Sequence, residues 1–178
     1  MALGSATDWK NAFAAMDKVD DDAWKDNLAN TIDGLVTGKL SSPGLLNESG
    51  SPAASFTFGK AAFKSGLSGE GTAAVISSAM QAGLAASTIT VPAKSYVGTS
   101  TPASTFSVVT TVVLDPASIT LAVAKVLTIA GKAAVSDASE SAVPPIFREA
   151  FLLLTMTTTG SNAVSPPAPL TDALRSMA

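Results

Sequence analysis

The chain has 178 residues, of which 11 are Lys or Arg and 14 are Asp or Glu, a net charge of −3 and a charged fraction of only 14%. An ordinary soluble domain carries about 25% charged residues; here Ala, Ser, Thr and Gly together occupy 86 positions instead. His and Cys are absent, which excludes imidazole bases, thiolate nucleophiles, disulfides and zinc sites built on either.

A chain of this length predicts one domain able to bury about 70% of its unfolded surface. The slight negative charge argues against nucleic acid, which needs clustered Lys and Arg. Met1 to Lys10 lacks the basic and apolar segments of a secretory signal, so synthesis in the cytoplasm without a signal peptide is expected. The most apolar tract, Ile119 to Val135, is interrupted by Lys125 and Lys132 and predicts no membrane span. A mean hydropathy of +0.36 with so few charges implies apolar and hydroxyl-rich surface that needs cover.

Residues 1–33 hold seven acids, Asp8, Asp17, Asp20, Asp21, Asp22, Asp26 and Asp33, against three lysines, whereas the remainder is nearly neutral. This acidic head reads as two helices, about 8–18 and 21–37. Trp9, Phe13 and Met16 share one face, as do Trp24, Leu28, Ile32 and Leu35. Residues 38–54 form a Gly/Ser/Pro loop that includes the formal sequon Asn47-Glu48-Ser49. Phe56, Phe63 and Leu67 suggest a short helix, broken by the glycines of 66–71.

A clearer helix spans about 72–87, with Ile76, Met80, Gly83 and Leu84 beside small alanines that let another backbone approach. It runs into the β-branched Thr88-Ile89-Thr90-Val91. After a second loop at 98–104, Thr105 to Leu114 alternates as a strand. Asp115-Pro116 marks a turn, with Ser118 as the expected cap of a largely buried helix over 118–135, where Leu121 and Leu127 widen the apolar side. Pro144-Pro145 opens another helix, followed by a strand over Thr155–Thr159 that Gly160 ends. Residues 161–178, with Pro166, Pro167 and Pro169, read as an extended arm. The fold class expected is α+β, mainly helical with a small β component. A single domain over 1–160 comprises the 1–37 acidic helical part, the 38–54 loop and the 55–160 body, with the 161–178 Pro-rich arm outside it.

No constellation of catalytic residues stands out. Without His or Cys, the remaining nucleophile is Ser or Thr activated by Lys. Ser118 and Lys125 are seven apart, and Ser-x-x-Lys does not occur. Thr7 with Lys10 and Thr57 with Lys60 have that spacing, but nothing around either pair suggests an oxyanion hole. The Asp17–Asp26 cluster fails the calcium-loop pattern and suits helix capping. Gly66–Gly71 reads G-x-x-G-x-G rather than a phosphate-binding fingerprint. Trp9, Trp24, Phe13 and Phe56, at helical spacing, read as core or subunit interface. No enzyme activity, no cofactor, no metal and no catalytic residue is therefore expected.

Ile76–Thr90 and Ile146–Gly160 share an outline of helix followed by a Thr-rich extended exit, with Ile76, Leu84 and Thr88 matching Ile146, Leu154 and Thr158. With the acidic head and the proline arm, this outline resembles the small structural subunits of tailed-phage particles and of phage-tail-like contractile machines. The resemblance spans 76–160 without a signature motif and transfers no functional residue. It implies a virion or assembled particle as the location, and copies of the chain plus other assembly proteins as partners. The alternative from composition is a small-molecule or protein-binding adaptor module using the 66–72 loop or an apolar groove.

Overall fold

The computed structural model describes residues 3–16, 23–38, 55–69, 71–90, 96–97, 105–129, 143–162, 169–171 and 175–176. Among them are helices α1 (Ala6–Ala14), α2 (Ala23–Val36), α3 (Lys60–Gly66), α4 (Ala73–Ala85), α5 (Pro116–Val126) and α6 (Val143–Leu152). The strands are β1 (Ser55–Thr57), β2 (Thr88–Thr90), β3 (Tyr96–Val97), β4 (Thr105–Leu114), β5 (Thr155–Asn162), β6 (Pro169–Thr171) and β7 (Arg175–Ser176). The protein is α+β and mainly helical.

Helix α1 starts where Ser5 forms a capping box with Asp8. The Ser5 hydroxyl accepts from the Asp8 N–H at 3.2 Å. In return Asp8 Oδ2 accepts from the Ser5 hydroxyl at 2.8 Å and from its backbone N–H at 2.6 Å. Two free N–H groups of the helix terminus are thereby satisfied. Helix α2 ends on Thr37 and on Gly38, whose φ of +76° is costly for a side chain with a Cβ. There the Gly38 N–H donates to the Phe56 carbonyl at 2.8 Å, joining the head to β1.

Phe56, which sequence spacing places in a helix, lies instead in the buried middle of β1, and α3 begins only at Lys60. Strand β1 pairs antiparallel with β2, Phe56 opposite Ile89. The small face of α4 is used as its composition predicts. A Cβ on Gly83 would sit 2.8 Å from Phe58 Cζ and 2.9 Å from Phe63 Cβ, and one on Gly66 would lie 2.7 Å from Ala79 Cα. Only glycine lets α3 and its lead-in approach α4 this closely.

Helix α5 departs from expectation in two ways. Its cap is Asp115, which accepts from the Ala117 N–H, and Pro116 occupies the first turn. Its helical span ends at Val126 within the described residues, and the buried positions are Ser118, Ala122 and Val126. Leu121 and Leu127 do not widen the buried stripe: they are 57% and 51% exposed. The stripe is narrow because α4 and α6 both pack on one side of α5.

The larger sheet has the order β3-β4-β5-β6, with β7 also paired to β5. Strand β4 runs antiparallel to β5 from Leu114 opposite Met156 to Phe106 opposite Asn162, with register shifts between Phe106 and Val108 and between Val109 and Thr111. Each shift interrupts the period-2 alternation. Strand β5 continues through Gly160 to Asn162, because Gly160 pairs on both sides, with Val109 and with Leu170. Residues 169–171 and 175–176 form strands that pair with β5 of their own chain. The described residues thus carry the sheet across the 160/161 boundary expected between domain and arm. The loop 39–54 and its sequon lie outside the described residues, as do Asp17, Asp20, Asp21, Asp22 and the 130–135 end of the helix expected over 118–135.

The core is aromatic. Trp9 and Phe13 of α1, Phe147 and Phe151 of α6, Phe63 of α3 and Phe58 before it are all buried. Ring centroids lie 6.0 Å apart for Trp9–Phe151, 5.8 Å for Phe13–Phe147, 5.7 Å for Phe58–Phe151 and 5.5 Å for Phe58–Phe63. Each such pair contributes about 0.5–1.5 kcal/mol beyond the area it buries.

Two glycines in helices test this packing with opposite signs. Gly83→Val is expected to lower unfolding stability in urea by about 1–3 kcal/mol or more through overpacking. A Cβ on Gly34 of α2 meets nothing within 4 Å, so Gly34→Ala should raise stability by about 0.5–1 kcal/mol. The cap gives a second test. Its hydrogen bonds from the Ser5 hydroxyl, and then from the Ser5 backbone, hold the Asp8 carboxyl below its ordinary value. A depressed folded-state value means stability that is present above the unfolded carboxylate range and lost as pH falls through it. The stability difference between wild type and Asp8→Asn should therefore shrink steadily as urea titrations are taken down from neutral pH into that range.

Candidate interaction surface

The residues that could have carried chemistry are employed in holding the fold. Ser118, which is 3% exposed, donates its hydroxyl to the Asp115 carbonyl at 2.7 Å and accepts from the Thr155 N–H at 3.1 Å. The Asp115 N–H in turn donates to the Thr155 carbonyl at 2.9 Å. This knot fastens the start of α5 to the start of β5. Lys125 pairs with Glu149 on α6 at 2.5 Å rather than with Ser118. Thr7 and Lys10 lie on the exposed side of α1, and Lys60 is paired with Asp33 at 3.2 Å.

Of the acidic cluster, Asp26 pairs with Lys64 at 2.5 Å. Asp33 accepts from the Thr37 hydroxyl at 2.6 Å. The ion pairs of Asp26 with Lys64 and of Asp33 with Lys60 clip α2 to α3 and are worth little individually at such exposure. Among the described residues no group of three or more acidic side chains is placed to hold a metal ion. Gly69 and Gly71 have φ values of +65° and +64°, and the Thr72 hydroxyl caps α4 by accepting from the Val75 N–H. Turn geometry and capping thus account for the glycines of 66–71.

Trp9, Phe13 and Phe56 are fully buried and Trp24 is 8% exposed, so these aromatics are core and not a surface stripe. The Trp9 indole N–H is buried without a hydrogen-bond partner. Phe13 and Phe151 flank its ring at centroid distances of 6.3 and 6.0 Å. Such an N–H forgoes a bond worth about 1 kcal/mol net, a cost set against the aromatic packing around it.

Part of what faces solvent is apolar. Among the described residues Val113, Leu121, Leu127 and Leu153 are exposed large hydrophobics. Two of them fall on neighbouring helices. The Ser118–Thr155 knot places the first turn of α5 beside the end of α6, so the helices run antiparallel, and Lys125 bridges to Glu149 across them. One turn from Lys125 toward the sheet is Leu121; one turn from Glu149 in the same direction is Leu153. Helical spacing thus sets the two exposed leucines on corresponding turns of the antiparallel α5 and α6. Helical spacing alone predicts Leu121 on a wide apolar face; its exposure follows from which side α4 and α6 occupy.

Val113 belongs to strand β4 of the larger sheet. That sheet's extensive contacts are strand to strand, together with β2 against β4. At its root a cavity of about 300 Å³ opens between the end of α4, β2 and β4, walled by Leu84, Ile89, Val113, Leu114 and Ile119 and edged by Ser87 and Thr88. The Ser87 hydroxyl is already engaged, donating to the Gly83 carbonyl at 2.8 Å and accepting from the Gly59 N–H at 3.1 Å.

No helix among the described residues is long and apolar enough to cross a membrane.

The Ser118 knot is the polar contact most sensitive to mutation. Ser118→Ala leaves the part-buried Thr155 N–H without its acceptor and should cost about 1 kcal/mol or more in urea unfolding. Lys125→Ala, which removes a half-exposed ion pair, should cost under about 1 kcal/mol.

Comparison with protein-family models, with curated proteins and with solved structures finds no match for this chain.

Proposed function

We propose that this chain is a structural subunit of a multi-copy protein assembly, a virion or phage-tail-like particle, acting by non-covalent packing against copies of itself and other assembly proteins. The observation that carries the reading is the Leu121–Leu153 pair. Two large apolar side chains, 57% and 40% exposed, fall on corresponding turns of the antiparallel α5 and α6 in a chain with only 14% charged residues. Exposed large apolar side chains on neighbouring helices of a chain so poor in charge mark a contact surface. The particle class is supported by the helix-then-strand outline of 76–90 and 146–160, which reappears as α4–β2 and α6–β5.

The second reading, an adaptor or small-molecule binding module, is favoured by the cavity at the sheet root. An occupant there would be an apolar group small enough for about 300 Å³.

Light scattering of the purified chain tests the first reading directly. It should report multimers, and Leu121→Glu with Leu153→Glu should shift them to monomers while the helical circular dichroism signal is retained. A wild-type chain that is strictly monomeric, or a double variant that assembles as the wild type does, overturns the proposal.

A further inference from the structure

We infer that the cavity at the sheet root is a binding site for an uncharged alkyl chain, such as that of an aliphatic alcohol, ester or amide, of on the order of ten carbons. The inference deepens the binding-module reading and rests on it.

The cavity traces to two small side chains at places where the second half of the chain carries large ones. Among the described residues β1 and β2 enclose α3 and α4 in chain order, as β4 and β5 enclose α5 and α6, and each strand pair is antiparallel. The closing halves of these two β-α-α-β units correspond residue by residue. Buried Ile76, Met80, Gly83 and Leu84 of α4 fall, at one constant offset, on buried Val143, Phe147, Ala150 and Phe151 of α6. The same offset carries Thr88, the first residue of β2, onto Thr155, the first of β5. It also carries Ile89, paired with Phe56, onto Met156, paired with Leu114. This register differs from the sequence match of Ile76 with Ile146 because burial and strand pairing set it.

At that offset Ala85 and Ser87 correspond to Leu152 and Leu154. Leu154 is fully buried and Leu152 packs against the core. In the first unit the corresponding methyl and hydroxymethyl groups border the cavity instead. Space that leucine side chains take up in one unit is thus open to an occupant in the other, and aliphatic bulk is what the second unit places there.

The walls set the class of occupant. Leu84, Ile89, Val113, Leu114 and Ile119 are aliphatic, and no charged residue lines the space. A carboxylate would find no cation there to offset its desolvation, and Asp115, next to Leu114 in sequence, carries the wrong sign for an anion. The Ser87 hydroxyl is already engaged by Gly83 and Gly59, which leaves the polar end of the ligand to solvent at the mouth. Val113 is 48% exposed, so an occupant removes apolar surface from water. An apolar cavity of about 150 Å³ holds benzene, and one of about 300 Å³ accommodates a chain of on the order of ten carbons.

Titration of the full chain with hexan-1-ol, octan-1-ol and decan-1-ol, followed by calorimetry and by thermal stabilisation, tests the site. Affinity should rise about fourfold with each methylene that leaves water, and octan-1-ol should bind at least about tenfold tighter than octanoate at neutral pH. Ala85→Leu installs the side chain that the second unit carries, and Val113→Phe narrows the opposite wall. Both positions are exposed, so each variant should weaken octan-1-ol at least about tenfold by filling the cavity while the urea midpoint stays near that of the wild type. Octanoate binding as tightly as octan-1-ol overturns the ligand class and leaves the binding-module reading standing. Alcohol binding that neither variant weakens overturns the site. No binding of any of the four compounds overturns the inference together with the binding-module reading, and leaves the assembly reading untouched.

Discussion

The aromatic contact network centred on Phe58 and Phe151 is the interaction on which the rest of this fold depends. Phe151 sits on α6 against Trp9 of α1, and Phe58, between β1 and α3, meets both Phe151 and Phe63. Elements separated by more than a hundred residues are thus held by a few rings. Those rings pack only because Gly83 and Gly59 leave room for them against α4. In a chain so rich in Ala, Ser and Thr, most side chains bury little area, and the large aromatics supply a disproportionate share of the hydrophobic stabilisation.

Polar contacts then orient what the rings hold together. Ser77 reaches from α4 to the Val123 carbonyl of α5 at 3.1 Å. Ser118 joins α5 to β5, Thr37 joins α2 to the Phe58 N–H at 3.1 Å, and Arg148 of α6 donates to the Gly4 carbonyl at 2.8 Å. Small hydroxyls serve here as connectors between elements, satisfying backbone groups that would otherwise be buried unpaired. This gives the high Ser and Thr content a structural use in the helical body, distinct from catalysis.

The surface follows from the same economy of charge. Once α5 buries Ser118, Ala122 and Val126, its leucines at 121 and 127 have nowhere to go but outward. Strands β3 to β6 likewise contain no charged residue.

Much of the helix inventory, the β4 strand and the extended backbone at 169–171 could be read from the sequence. Apolar spacing, β-branched runs and prolines act locally and need no partner to exert their effect. The small face of α4 was equally readable, since Gly and Ala at the right spacing mean close approach whatever approaches. The sequence by itself determined that no imidazole or thiol chemistry occurs here, because those residues are absent. Tertiary structure alone decided that Phe56 is a strand residue, that Asp115 rather than Ser118 caps α5, and that Leu121 is exposed. Each of these depends on a non-local partner: β2 for Phe56, the Thr155 N–H for Ser118, and the placement of α4 and α6 for Leu121. Periodicity reports that a face is apolar, but which part of that face is buried is set by the elements that arrive against it.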